Sequence, residues 1–203
     1  MPEFMISDRP FYRAIGPDSF HRGDYHIGSI QRSDAEEIRK WRNEQISALR
    51  QGKPLTREEQ SAYFDELIKL DFPTSQPEKI LVRFVYKDYL IGYGGIVHID
   101  WHNQRGEVSF LLETSRTVHH AKYTDELFTF FELIKEVAFD TLKLNKLTCE
   151  AYAHRGYHVK AIESAGFTRE GILRQQTKIN GAWIDAVVSS CLRSEYLNPR
   201  KLV

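Results

Sequence analysis

Apolar positions along this chain change period several times, and each change marks an element. The first clear signal is alternation over Tyr25–Arg32, a short strand. Ser33-Asp34-Ala35-Glu36 then reads as a capping box opening a helix that carries Ile38 and Trp41 and ends near Glu44. After a looser stretch with Gly52 and Pro54, Thr56-Arg57-Glu58-Glu59 opens a second helix, with Tyr63, Phe64, Leu67 and Ile68 on its apolar face. From Lys79 the pattern turns to strands. Ile80–Tyr86 and Tyr89–Asp100 meet at a Lys87-Asp88 turn, and Glu107–Leu112 follows. Gly92, Gly94 and Gly95 inside the second of these predict a bulge or a close backbone approach. Lys122–Leu142 is a long helix whose wide apolar surface needs a sheet to pack on. Leu147–Ala153 is a strand, Tyr157–Ala165 a helix stopped by Gly166, and Thr168–Ile179 pairs with Ala182–Arg193 through Asn180-Gly181, a strong hairpin signal.

This order predicts an α/β fold with a mixed central sheet, antiparallel first and parallel around the long helix. Residues 1–24 show no sustained period and read as an N-terminal extension over the surface, leaving 25–197 as one domain. The 203 residues carry 28 Lys+Arg against 28 Asp+Glu, which argues against a nucleic-acid partner. The longest apolar run, near Leu90–Ile99, is too short to span a bilayer, and the first residues, MPEFMISDRP, lack the apolar segment of a signal peptide. Cys149 and Cys191 give no disulfide framework and read as small buried hydrophobes in a reducing cytoplasm.

The sequence contains no phosphate loop, dinucleotide fingerprint, HExxH or GxSxG motif. His154 and His158 lie four apart without a third ligand, so no metal site is expected. EVSFLL at Glu107–Leu112, LKLNKLTCEAYA at Leu142–Ala153, AIESAGFTREGILR at Ala161–Arg174, the Asn-Gly hairpin and IRKWRN at Ile38–Asn43 point more specifically. Together they resemble the GNAT superfamily of N-acetyltransferases, in particular the branch of ribosomal-protein alanine and nucleotide-sugar N-acetyltransferases. The resemblance implies an antiparallel N-terminal meander, a parallel strand pair splayed around the cofactor, and a C-terminal β-hairpin.

It also implies acetyl-CoA as cosubstrate. The pantetheine arm would lie along Phe110, Leu111 and Leu112 like an added strand, and the pyrophosphate would sit at the start of the long helix, on Lys122, Tyr123 and Thr124. The family's phosphate loop is glycine-rich, whereas His119–Thr124 contains no glycine. Arg116, Lys122 or His120 would then supply charge, although Lys122 taken alone reads better as a solvated first-turn lysine. Arg155 and His158 occupy cofactor-side positions of the following helix. The family's proton-donating Tyr is replaced by Ile162, with Tyr157 nearby as a substitute acid. Glu107 matches a candidate base, and His98 ends the preceding strand on the same edge. Arg42 and Asn43 would face the acceptor, with Trp101 near the strand mouth.

The expected activity is direct acetyl transfer to a small-molecule amine, leaning to the amino sugar of a nucleotide sugar. A protein N-terminus is the alternative acceptor, and a non-catalytic binding module with a degenerate cofactor loop is the alternative class. No nucleic-acid or membrane partner is expected, and homodimerisation stays open.

Overall fold

The computed structural model describes residues 10–198. Within them, eight strands form one sheet: β1 (Phe20–Arg22), β2 (Tyr25–Ser29), β3 (Ile80–Tyr86), β4 (Tyr89–Asp100), β5 (Arg105–Leu112), β6 (Lys146–Tyr152), β7 (Thr168–Ile179) and β8 (Ala182–Leu192). Their order is β1-β2-β3-β4-β5-β6-β8-β7, and β5–β6 is the one parallel pair. This is the mixed sheet expected from the sequence. Helices α1 (Ala35–Glu44) and α2 (Arg57–Leu70) cover one face. Helices α3 (His120–Lys135) and α4 (Gly156–Ser164) cover the other, and α5 (Arg193–Leu197) follows the last strand. The long helix ends earlier than its apolar pattern suggests, because Glu136–Thr141 continues it as a π-helical turn. No helix among the described residues is long and apolar enough to cross a membrane.

The core follows from alternation along β5. Phe110 faces α3 and packs on Phe130, Phe131 and Tyr123 at centroid distances of 4.7, 6.2 and 6.2 Å. Residues of opposite parity, Glu107 and Ser109, face α1 and α2. Two of the β4 glycines are required by close approach. A Cβ on Gly94 would strike the Ser109 carbonyl and come within 2.7 Å of Phe130 Cζ, and Gly95, at φ +143°, lies against the Ile80 carbonyl. The β3–β4 and β7–β8 turns have left-handed central residues, Lys87 and Asp88 at 45° and 68°, Asn180 and Gly181 at 51° and 85°.

Thr56 and Glu59 form the expected reciprocal cap. The first cap differs: the Asp34 carboxylate receives the Gln31 N–H at 2.9 Å, so the cap lies two residues earlier than Ser33–Glu36 suggests.

The N-terminal extension is corrected over its described part. Tyr12 is fully buried, accepts the Leu81 N–H at its hydroxyl (3.1 Å), and packs on Phe72 at 4.2 Å. Phe20–Arg22 joins the sheet. A lone buried aromatic and a three-residue strand are too short to register as a period. Residues 1–9 of that expectation lie outside the described residues.

Candidate active site

The parallel pairing of β5 with β6 stops after three residue pairs, Arg105–Glu107 against Lys146–Thr148. Beyond Glu107 the strands part. The Glu113 N–H bonds the Ile91 carbonyl, so odd-numbered β5 peptides turn to β4 and the peptide groups of Phe110 and Leu112 turn into the gap. Leu111, expected as an edge residue, therefore bonds toward β4 instead. The gap is spanned by the segment after α1. Gln45 Nε2 donates to the Leu112 carbonyl at 2.8 Å, the Tyr152 hydroxyl donates to the Leu49 carbonyl at 3.3 Å, and Arg50 reaches both strands.

On the α3 side, two helix starts converge at the gap mouth. The rings of His120 and Tyr157, in the first turns of α3 and α4, stack at 4.3 Å and 6°. Arg155 precedes α4. Its Nη2 lies 3.5 Å from the hydroxyls of Tyr123 and Tyr157, and it makes no ion pair among the described residues. Lys122 is exposed on the first turn of α3. This arrangement, with N–H groups free at both helix starts beside a guanidinium that lacks a carboxylate, suits an anion.

Three expected cofactor contacts are corrected here. Arg116 is tied to Glu113 and to the buried Glu126, whose carboxyl is raised by burial and drawn back by Arg116. His158 is buried with Nδ1 2.7 Å from the Tyr123 hydroxyl, and burial, aided by Arg155, pushes its pKa down to about 3, so it is neutral and offers no charge to a phosphate. Burial also raises Tyr123, which keeps its proton and shares a hydrogen bond with Nδ1. The Thr124 hydroxyl is spent on the His120 carbonyl. Ile162 lies in the core.

On the opposite face, Arg50 Nη2 bridges Glu107 (2.8 Å) and Glu150 (3.0 Å). Burial opposes the Arg50 charge, but the two carboxylates prevail and hold its pKa up. Beside this cluster a cavity of about 420 Å³ opens between α1, α2 and β4–β5, reaching Ser109. Arg42 lines it, held by Gln51 Oε1 at 2.9 Å and the Tyr93 hydroxyl at 2.7 Å.

Its neighbour Asn43, expected beside Arg42, is not among the residues that line this cavity. Its amide accepts the Leu55 N–H, donates to the Leu55 carbonyl and accepts from Gln51, which pins the loop that carries Gln51. Trp101 lies in the β4–β5 turn, at the closed end of the parallel pair, and its indole N–H donates to the Pro77 carbonyl. His98 is exposed at φ 52° where the β4–β5 register slips, beyond the Val97–Glu107 pair, and it makes no hydrogen bond or ion pair with Glu107. Cys149 and Cys191 are buried free thiols, raised by burial to about 12 and about 11.

Sequence reasoning missed Arg50, Glu150, Gln45 and Tyr93. Arg50 and Gln45 lie in a stretch with no period, and their reach across the gap depends on tertiary geometry. Tyr93 had a faint signal, a large polar-tipped residue between two glycines.

An acetyltransferase (GNAT) domain model matches residues 27–188. A probable N-acetyltransferase, YjcK of Bacillus subtilis, is 35% identical over 63 residues, 31% of this chain and 35% of that protein. An uncharacterized N-acetyltransferase, p20 of Bacillus licheniformis, is 29% identical over 110 residues, 54% of this chain and 58% of that one. The chain thus spans between about a third and three fifths of these curated relatives. Among solved structures, the spermidine N-acetyltransferase of Vibrio cholerae in complex with CoA and spermine superposes with a TM-score of 0.77 at 18% identity, covering 87% of this chain and all of that one. The dodecameric structure of the same enzyme in an intermediate state gives 0.68 at 18%, covering 89% of this chain and all of that one. At these identities the likeness concerns the fold.

Proposed function

The chain belongs to the GNAT acetyltransferase family, and from that premise we propose that it moves the acetyl group of acetyl-CoA to a primary amine in a ternary complex, without an acyl-enzyme. The observation that carries this reading is the gap that opens between β5 and β6 beyond Glu107, with a cation-bearing mouth at the starts of α3 and α4 and the Arg42 cavity between α1, α2 and β4–β5. The residues present fit acetyl-CoA: the peptide groups of Phe110 and the Leu112 N–H, which face the gap, suit its amide arm, and the α3 and α4 starts with Arg155 and exposed Lys122 suit its phosphates.

Acetyl-CoA supplies the acyl group as a thioester. Glu107 takes the proton from the acceptor ammonium, and the freed amine forms the C–N bond as the C–S bond breaks. An N–H of the β5 edge, from Phe110 or Leu112, would hold the carbonyl oxygen as charge develops there; Tyr157 would give a proton to the departing sulfur and regain one from the second proton that the acetylated nitrogen sheds.

For the acceptor we favour the amino sugar of a nucleotide sugar and the corresponding branch, supported by the IRKWRN run and by Arg42 on the cavity wall. A protein N-terminus is the second reading. A polyamine fits less well, because the Arg42 guanidinium would repel a second ammonium. A binding module without catalysis would share the glycine-free His119–Thr124 loop and the buried Ile162, and turnover separates it from the enzyme.

Isothermal titration with acetyl-CoA, followed by thiol-release assays over amines, tests the reading. Saturable binding with turnover is expected, and absence of binding up to millimolar concentration refutes it. Glu107→Gln, which keeps a hydrogen bond to Arg50, should lower kcat by about 100-fold or more with acetyl-CoA affinity unchanged. An unaltered rate removes Glu107 from the scheme.

A further inference from the structure

We propose that Arg42 is the seat of an anionic group on the acceptor, so that the amines acetylated here carry a carboxylate or a phosphate; this rests on the acetyl-transfer reading above. Like Arg155 at the gap mouth, and unlike the remaining arginines around the site, Arg42 has no carboxylate partner among the described residues. Arg50, Arg83 and Arg116 each face a carboxylate. Among the described residues both hydrogen-bond partners of Arg42 are neutral, the Gln51 side-chain carbonyl and the Tyr93 hydroxyl. These two contacts fix the plane of the guanidinium and leave its charge uncompensated and its Nη2 group unengaged.

The surroundings make that charge costly. Ile38, Leu55, Phe64, Leu81 and Val97 line the same cavity, and a guanidinium against apolar walls is poorly screened. Glu59 is the carboxylate on the wall, and it is committed to Lys53 at 2.7 Å and to the Thr56 N–H at 2.9 Å. A ligand anion would supply the missing countercharge through charge-assisted hydrogen bonds.

The geometry also orients the ligand. The cavity extends to Ser109, two residues along β5 from Glu107 and on the same face. An acceptor with its anion on Arg42 and its apolar body against the aliphatic wall would direct its amine toward the open strand gap. Asn43 acts as a positioning residue in this arrangement, because it fixes the loop that delivers Gln51 to Arg42.

A carboxylate and a phosphate satisfy the same chemistry, so paired acceptors separate the two sources. Thiol release is measured with phenylalanine against 2-phenylethylamine, and with glucosamine 6-phosphate against glucosamine. The wild-type protein should prefer the anionic member of at least one pair by about 10- to 100-fold in kcat/KM, and which pair responds identifies the anion. Arg42→Gln should abolish that preference, chiefly by raising KM for the anionic member, with acetyl-CoA binding unchanged. Tyr93→Phe, which keeps the charge, should retain the preference and guards against a merely structural loss. Turnover without preference in either pair, or a preference that survives in Arg42→Gln, overturns the proposal alone. Acetyl-CoA binding without turnover of any amine overturns the acetyl-transfer reading and the proposal with it.

Discussion

Protonation of His158 should be a main acid sensitivity of this fold. The ring is buried, hydrogen-bonded through Nδ1 to Tyr123, and its pKa falls to about 3 against an ordinary value of 6.5. Because the folded pKa is depressed, the stabilising contribution is complete above 6.5 and is lost as pH falls toward 3. Between pH 7.5 and 5.0 the unfolded chain takes up nearly one proton at this site that the folded chain refuses, which costs about 2 kcal/mol. His26, also depressed, acts in the same direction, while the raised Glu126 acts in the opposite one. The informative quantity is therefore the difference between the wild-type protein and a His158→Gln variant, whose amide can still accept from Tyr123. Urea unfolding at the two pH values should show the wild type losing about 2 kcal/mol more than the variant. Equal losses in both would refute the reasoning, as would a His158 ring that titrates above about pH 5 by NMR in the folded protein.

Arginines on the two sides of the gap mouth should respond in opposite ways. Arg116→Met leaves Glu126 buried without its countercharge and should lower stability by about 3–5 kcal/mol in denaturant unfolding. Arg155→Met should leave stability nearly unchanged and weaken acetyl-CoA by about tenfold in titration. Gly94→Ala should cost about 1–3 kcal/mol or more, because its Cβ meets Ser109 and Phe130, whereas Gly171→Ala faces open space and should be close to neutral by thermal melting.

Much of the sheet was legible because its signals are local. Alternation locates β3, β4 and β5, and the Asn180-Gly181 pair fixes the last hairpin. The β4 glycines announced a close approach but not the surface approached, since Ser109 and Ile80 come from other strands. The site was legible by type more than by partner. Glu107, Arg42 and Arg155 were all visible as candidates, but whether a cation is free or spent depends on what folds beside it. Arg116 and Arg155 look alike in the sequence, and the structure gives a buried carboxylate to only one of them. The bridge from Arg50 to two strands involves residues 57 and 100 positions away, beyond the reach of any window.

Strand β7 forms one border of the sheet and is exposed along nearly its whole length, with Ile172, Leu173 and the facing Trp183 open to solvent. A regular twelve-residue border of this kind would template a foreign strand and propagate into fibres. Here the ladder with β8 slips twice, between Arg169 and Gly171 and between Leu173 and Thr177, and at the second slip Gln175 takes φ 53° while its N–H is held by Asp185. The free border is thereby cut into runs of two or three residues, too short to seed a continuous ladder. A second copy meeting this side would have to engage side chains rather than extend the sheet, so the irregularity serves as built-in protection against polymerisation.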